Sequence, residues 1–112
     1  MPKNVDSGEI NELMNSYFFS NPQRVLFWMY HCEINEPQIL QRDIEKLSGL
    51  SHPAIYRALE KLTSKKYRYV KKFMTLVPKE YHGHKWMMKL EFTKDEYRKL
   101  AKEFYQLILR HL

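Results

Sequence analysis

The stretch ILQRDIEKLSGLSHPAIYRALEKL, residues 39–62, decides how this chain is read. Ile44 and Leu47 are spaced for one face of a helix running from Gln41 to Leu47, after the apolar pair Ile39-Leu40. Ser48-Gly49 breaks that helix, and Gly49 is the residue suited to a left-handed turn. Ser51 then has the chemistry of an N-cap and Pro53 that of a first helical turn, so a second helix is expected, presenting Ile55, Leu59 and Leu62 as its apolar stripe. Two short helices joined by a glycine-containing turn and locked by Ile44, Leu47, Leu50, Ile55, Leu59 and Leu62 form a helix-turn-helix pattern.

Outward on the N-terminal side, Asp6 and Glu9 have capping-box spacing, and Ile10, Leu13, Met14, Tyr17 and Phe18 follow at helical period. Asn21-Pro22 is read as the cap and first position of a second helix ending near Cys32. Val25, Leu26, Phe27, Trp28, Met29 and Tyr30 make that helix apolar on most sides, the mark of an element at the centre of its fold.

On the C-terminal side the period changes from 3.6 to 2. Trp86, Met88, Leu90 and Phe92 alternate with Met87, Lys89 and Glu91 in a half-buried strand; Tyr69–Val77 is its antiparallel partner, and residues 78–85 form a polar hairpin loop around Gly83. Thr93, with Glu96, is read as the cap of a last helix carrying Tyr97, Leu100, Ala101, Phe104, Leu107, Ile108 and Leu112. The expectation is a mainly α chain with a small β-hairpin, an α+β fold in one domain over residues 1–112: N-terminal helix within 1–20, helix-turn-helix and hairpin within 39–92, terminal helix within 93–112.

The 112-residue chain is 44% hydrophobic and 14% aromatic, enough for a real core. Its net charge of +6 is unevenly distributed. Residues 1–50 hold four Lys/Arg against seven Asp/Glu, or −3, and residues 51–112 hold fifteen against six, or +9. A one-sided positive field attracts polyanions, and nucleic acid is the abundant polyanion inside cells. The lone Cys32 excludes an internal disulfide and suits a reducing compartment. The opening residues lack the apolar run of a signal peptide, and no stretch reaches the ~18 apolar residues of a membrane span, so a cytoplasmic, nucleoid-associated protein is expected.

The motifs QRDI at 41–44, SGLS at 48–51 and AIYRALEKL at 54–62, with the hairpin and terminal helix behind them, resemble winged helix-turn-helix regulators of the MarR type. In size and layout the chain also resembles the small archaeal Lrs-like regulators; the likeness covers roughly residues 22–112. It implies a double-stranded DNA-binding transcriptional regulator whose recognition helix, about 51–65, enters the major groove while the hairpin, about 78–85, lies along backbone or minor groove.

Two departures stand out. No glycine follows the recognition helix, so either Lys66 takes a left-handed conformation or the helix runs further, and Leu40 stands where such proteins place Ser or Thr.

On this reading His52, Ala54, Tyr56, Arg57 and Lys61 face the groove, with Arg57 on a guanine edge or a phosphate. Ser51, Lys61, Lys65, Gln41 and Arg42 contact phosphates, and Lys79, His82, His84 and Lys85 carry the hairpin's contacts to backbone or minor groove. A homodimer interface, as the resembling families form, is expected from Ile10, Leu13, Tyr17 and Phe18 against Tyr97, Leu100, Phe104, Leu107 and Ile108.

Other chemistry is poorly supported. His82 and His84 with His31 or Cys32 fall short of a zinc-ligand pattern, and His31-Cys32, as neighbours on one helix, diverge too far to act as base and nucleophile. Neither an enzyme nor a cofactor is expected. The competing functions are an architectural DNA-coating protein of low specificity and a winged helix used only for protein contacts.

Overall fold

The computed structural model describes residues 6–77 and 85–112. Five helices and a three-stranded antiparallel sheet make up these residues. The helices are α1 (Ser7–Ser16), α2 (Asn21–Asn35), α3 (Gln41–Ser48), α4 (His52–Thr63) and α5 (Asp95–Leu109). The strands are β1 (Ile39–Leu40), β2 (Val70–Val77) and β3 (Lys85–Phe92), in the order β1-β3-β2. The fold is thus mixed α+β, and its element order is compatible with the expected one.

α2 is the central helix. Val25, Leu26, Phe27, Trp28 and Met29 are all buried, and it packs against α3, α4, α5 and β1. One apolar cluster draws on every element, from Ile10 and Met14 in α1 through Ile44, Ile55 and Leu90 to Ile108 in α5. Asn11 ties α1 to this body: its Oδ1 accepts from Trp28 Nε1 at 3.0 Å, and its Nδ2 donates to the Leu47 carbonyl at 2.9 Å. These bonds satisfy the indole N–H in the core and hold α1 over the end of α3.

Several local readings are corrected. α1 ends at Ser16, before Tyr17 and Phe18; Phe18 takes φ +57° and lets the chain turn into Ser20. Ser20, not Asn21, caps α2: its Oγ accepts from the Gln23 backbone N–H at 3.3 Å, while Gln23 Oε1 accepts from the Ser20 N–H at 2.7 Å. That reciprocal pair satisfies two helix-end donors at once, which Asn21 at the next position could not do. α2 also continues to Asn35, beyond Cys32, because Asn35 and Glu36 still return hydrogen bonds to the preceding turn.

Thr93 does not cap α5 either. Its hydroxyl donates instead to the Arg68 carbonyl, and Lys94 stands at the N-cap without a side-chain bond. The left-handed residue after α4 is Arg68, φ +49°, not Lys66. Its N–H returns to the Ser64 carbonyl at 2.9 Å, so a one-turn loop beyond α4 supplies the reversal that a glycine would otherwise make.

α3 and the start of α4 match their expected limits closely. Gly49 has φ +67°, and Ser51 Oγ accepts from the Ala54 N–H at 3.3 Å. Leu40 precedes α3 without a capping bond because its side chain has no acceptor to offer; it is instead wholly buried and pairs with Lys89 in the sheet. No helix among the described residues is long and apolar enough to cross a membrane.

Candidate nucleic-acid interface

α4 buries Ile55, Ala58, Leu59 and Leu62 against the core and so turns its opposite side outward. At 100° per residue, Pro53, Tyr56, Arg57, Glu60 and Lys61 fall on that side, and all five are exposed. Ala54 lies at its margin, half-buried. Arg57, Lys61 and Ala54 border a hollow of about 300 Å³ shared with Asn21 and Pro22 at the start of α2. Of the α4 residues that the sequence singled out, Tyr56, Arg57 and Lys61 thus share the outward side with Ala54 at its margin, whereas His52 turns toward α3.

Neighbouring side chains shape this surface. His52 Nδ1 lies 3.0 Å from Glu45 Oε1, linking the first turn of α4 to α3 with both groups near solvent. Gln41 Nε2 donates to Glu45 Oε2 at 3.4 Å, so Glu45 collects one residue from each helix. Ser51 already spends its hydroxyl on the Ala54 N–H and serves α4 as a cap. Arg42 is exposed at the first turn of α3, and Lys65 is exposed beyond the end of α4, which stops at Thr63 rather than near residue 65.

The hairpin stands beside α4. Lys72 Nζ sits 5.3 Å from the Tyr56 ring centroid, a cation–π contact joining β2 to the outward face of α4. Lys61 and Lys66 flank the Tyr67 ring at 5.7 and 5.5 Å. Lys85, the first residue of β3, is exposed. Lys79, His82 and His84 lie outside the described residues.

Three features escaped sequence reasoning. Glu60 sits among the basic residues of the outward face, one turn from Tyr56 and three positions from Arg57. Lys72 and Tyr67 organise the lysines around α4; the clue was the alternation in Val70–Val77, which puts Lys72 on the same side of its strand as Val70.

The residues assigned to a subunit interface divide. Ile10 and Ile108 are buried within the chain's own core, so they are not surface residues as the sequence reading required. Leu13, Tyr97, Leu100, Phe104 and Leu107 are half-buried, with Phe104 edge-on to Phe19 at 5.5 Å. Tyr17 and Phe18 remain exposed.

Cys32 and His31 have no catalytic geometry. Burial, reinforced by the Asp43 and Glu36 charges, pushes the Cys32 thiol up to about 12, far from a reactive thiolate. His31 Nδ1 is engaged by the Tyr105 hydroxyl. Among the described residues, no group of three or more His, Cys, Asp and Glu side chains is placed to hold a metal ion. Comparison with protein-family models, curated proteins and solved structures finds no match, so the meaning of this surface rests on its own geometry.

Proposed function

We propose that this chain is a sequence-specific, double-stranded DNA-binding transcriptional regulator of the winged helix-turn-helix kind. The observation that carries the reading is the setting of α4: locked onto α3 through the left-handed Gly49, it directs Tyr56, Arg57 and Lys61 outward beside a lysine-bearing hairpin. A helix so mounted fits a major groove, with Arg57 reading a base edge and Lys61, Lys65, Gln41 and Arg42 meeting phosphates. The +9 charge of residues 51–112 supplies the long-range attraction.

The regulator acts as a homodimer in this proposal. The residues just past the C-terminal ends of α1 and α5 meet at the Tyr17–His111 ring contact, 5.2 Å between centroids, and next to them in sequence Phe18 and Leu112 expose apolar surface. A two-fold pair would present two α4 helices to successive major grooves. The protein would reside in the cytoplasm, on the nucleoid.

Selection of bound sequences from a random duplex pool at physiological salt tests this function. A regulator prefers some sequences by roughly 1,000-fold or more. Salt-sensitive binding with little preference would instead identify an architectural DNA-coating protein. Absence of salt-sensitive binding would leave a protein-interaction module.

A further inference from the structure

The hairpin has an apolar face longer than the helical layer beneath it. Directly opposed residues of an antiparallel pair share a face, so the pairs Val70–Phe92, Lys72–Leu90, Met74–Met88 and Leu76–Trp86 all lie on one side of the sheet. At the root of the hairpin Val70, Leu90 and Phe92 are buried against the helices. Farther out the same face emerges into solvent: Met74 is 51% exposed, Leu76 49% and Trp86 66%. An exposed tryptophan beside an exposed leucine and methionine is a contiguous apolar patch, and such patches mark binding surfaces.

The surroundings of the patch decide what covers it. Of the four strand lysines only Lys72 shares this face; Lys71, Lys85 and Lys89 lie on the opposite one, where Glu91 is bridged by Lys71 at 3.4 Å and Lys89 at 3.6 Å. Flat apolar surface with the Lys72 ammonium at its foot complements a ligand that offers phosphates next to aromatic rings. At its foot the face runs into α4 through the Lys72–Tyr56 contact, so the patch and the outward side of α4 form one continuous surface. That continuity favours duplex DNA over an anionic lipid surface, which has no use for α4.

We propose that Met74, Leu76 and Trp86 form an apolar wedge that packs on base faces of duplex DNA at an unstacked step, so that the hairpin binds by base contact as well as by charge. This inference rests on the DNA-binding reading above and adds the mode of contact.

The chain's two tryptophans make the test direct. Trp28 is wholly buried and Trp86 is mostly exposed, so acrylamide quenching of tryptophan emission reports on Trp86. The probe is random-sequence duplex DNA of about 30 base pairs, long enough for two successive half-sites. With the full chain, saturating duplex should shield Trp86 from acrylamide. Trp86→Ala should weaken binding about 10-fold, the loss expected for one base–aromatic stack, without changing the slope of log affinity against log salt. Lys72→Ala should lower that slope by about one. Leu76→Ser is the second variant, expected to weaken binding in the same slope-neutral way, and circular dichroism verifies the fold of each.

Intact salt-dependent binding with Trp86 still fully quenched, and with Trp86→Ala at wild-type affinity, would overturn the wedge alone. Shielding by phosphatidylserine vesicles but not by duplex would overturn it in favour of a lipid surface. Concentration-dependent shielding without DNA, abolished by Leu76→Ser, would overturn it in favour of a second copy of the chain. Absence of salt-dependent duplex binding by the wild-type chain would bring down the DNA-binding reading itself, and the wedge with it.

Discussion

His31 Nδ1 and the Tyr105 hydroxyl lie 2.8 Å apart in the core, joining α2 to α5. Asn35 Nδ2 donates to the His31 carbonyl at 2.9 Å and stands 3.4 Å from the same ring nitrogen. Two donors thus converge on Nδ1, an arrangement satisfied by neutral imidazole with Nδ1 as acceptor. Burial pushes the Tyr105 hydroxyl up to about 12, with Tyr30 adding to the effect, so it keeps its proton.

The neutral ring has a pH consequence. Burial holds His31 below its ordinary value of 6.5, partly offset by the Glu36 carboxylate. The unfolded chain therefore binds the proton first as pH falls. Stability from this group is complete above 6.5 and declines as the pH drops through 6.5 toward the folded-state value. The melting temperature should fall on acidification from 6.5 to about 5, above the carboxylate range, and His31→Gln should flatten that limb. An unchanged slope in the variant would assign the acid sensitivity to another group.

Gly49 should resist replacement on backbone grounds alone. A methyl group added there would meet Asn11 Nδ2 at 3.9 Å, an ordinary contact, so only the φ of +67° is unfavourable. Gly49→Ala should destabilise the chain by about 1–2 kcal/mol. Gly49→Asn should cost less, because Asn tolerates the left-handed region. Urea denaturation of both variants measures the difference, and equal stability of all three chains would contradict the turn.

The outward face of α4 carries opposed charges with opposed effects. Arg57→Ala should cost about 1–3 kcal/mol of duplex affinity if its contact is bidentate to guanine. Glu60→Gln should raise affinity for random duplex while narrowing the gap between preferred and random sequences, because a carboxylate on the groove face repels phosphate everywhere and accepts only from a suitable base. Binding titrations at fixed salt measure both; an Arg57→Ala chain with unaltered affinity and site preference would remove α4 as the reading helix.

Phe18 is 92% exposed at a φ of +57°, which is unfavourable for a bulky side chain and gains nothing within one chain. Phe18→Asn keeps a residue that tolerates this backbone and deletes the apolar surface. It should leave the fold at least as stable and shift a dimer toward monomer in sedimentation. A wild-type chain that sediments as a monomer would reject the dimer.

Much of this architecture was legible because it is local. Gly49, Ser51 and Pro53 act through their own backbone chemistry, and the stripe Ile55, Leu59, Leu62 declares its own buried face. Readings failed where two local solutions competed. Ser20 and Asn21 could each cap α2, and only the reciprocal bond with Gln23 favours Ser20. Thr93 and Glu96 have capping-box spacing, yet the Arg68 carbonyl takes the Thr93 hydroxyl. That carbonyl is distant in sequence, so no local pattern could announce it.

The sequence by itself determined the helices, their turn, the hairpin and the concentration of positive charge after Ser51. These follow from periodicity, capping chemistry and composition, which need no knowledge of neighbours. Only the tertiary structure decided which apolar stripes are consumed inside. Ile10 and Ile108 went to the chain's own core, whereas Trp86, one position in a regular strand alternation, stayed exposed. The physical reason is coverage: alternation states which face of an element is apolar, but the length of the layer packed against it states how much of that face is buried. The same limit applies to His31 and Tyr105, whose partnership exists only because α5 returns across α2.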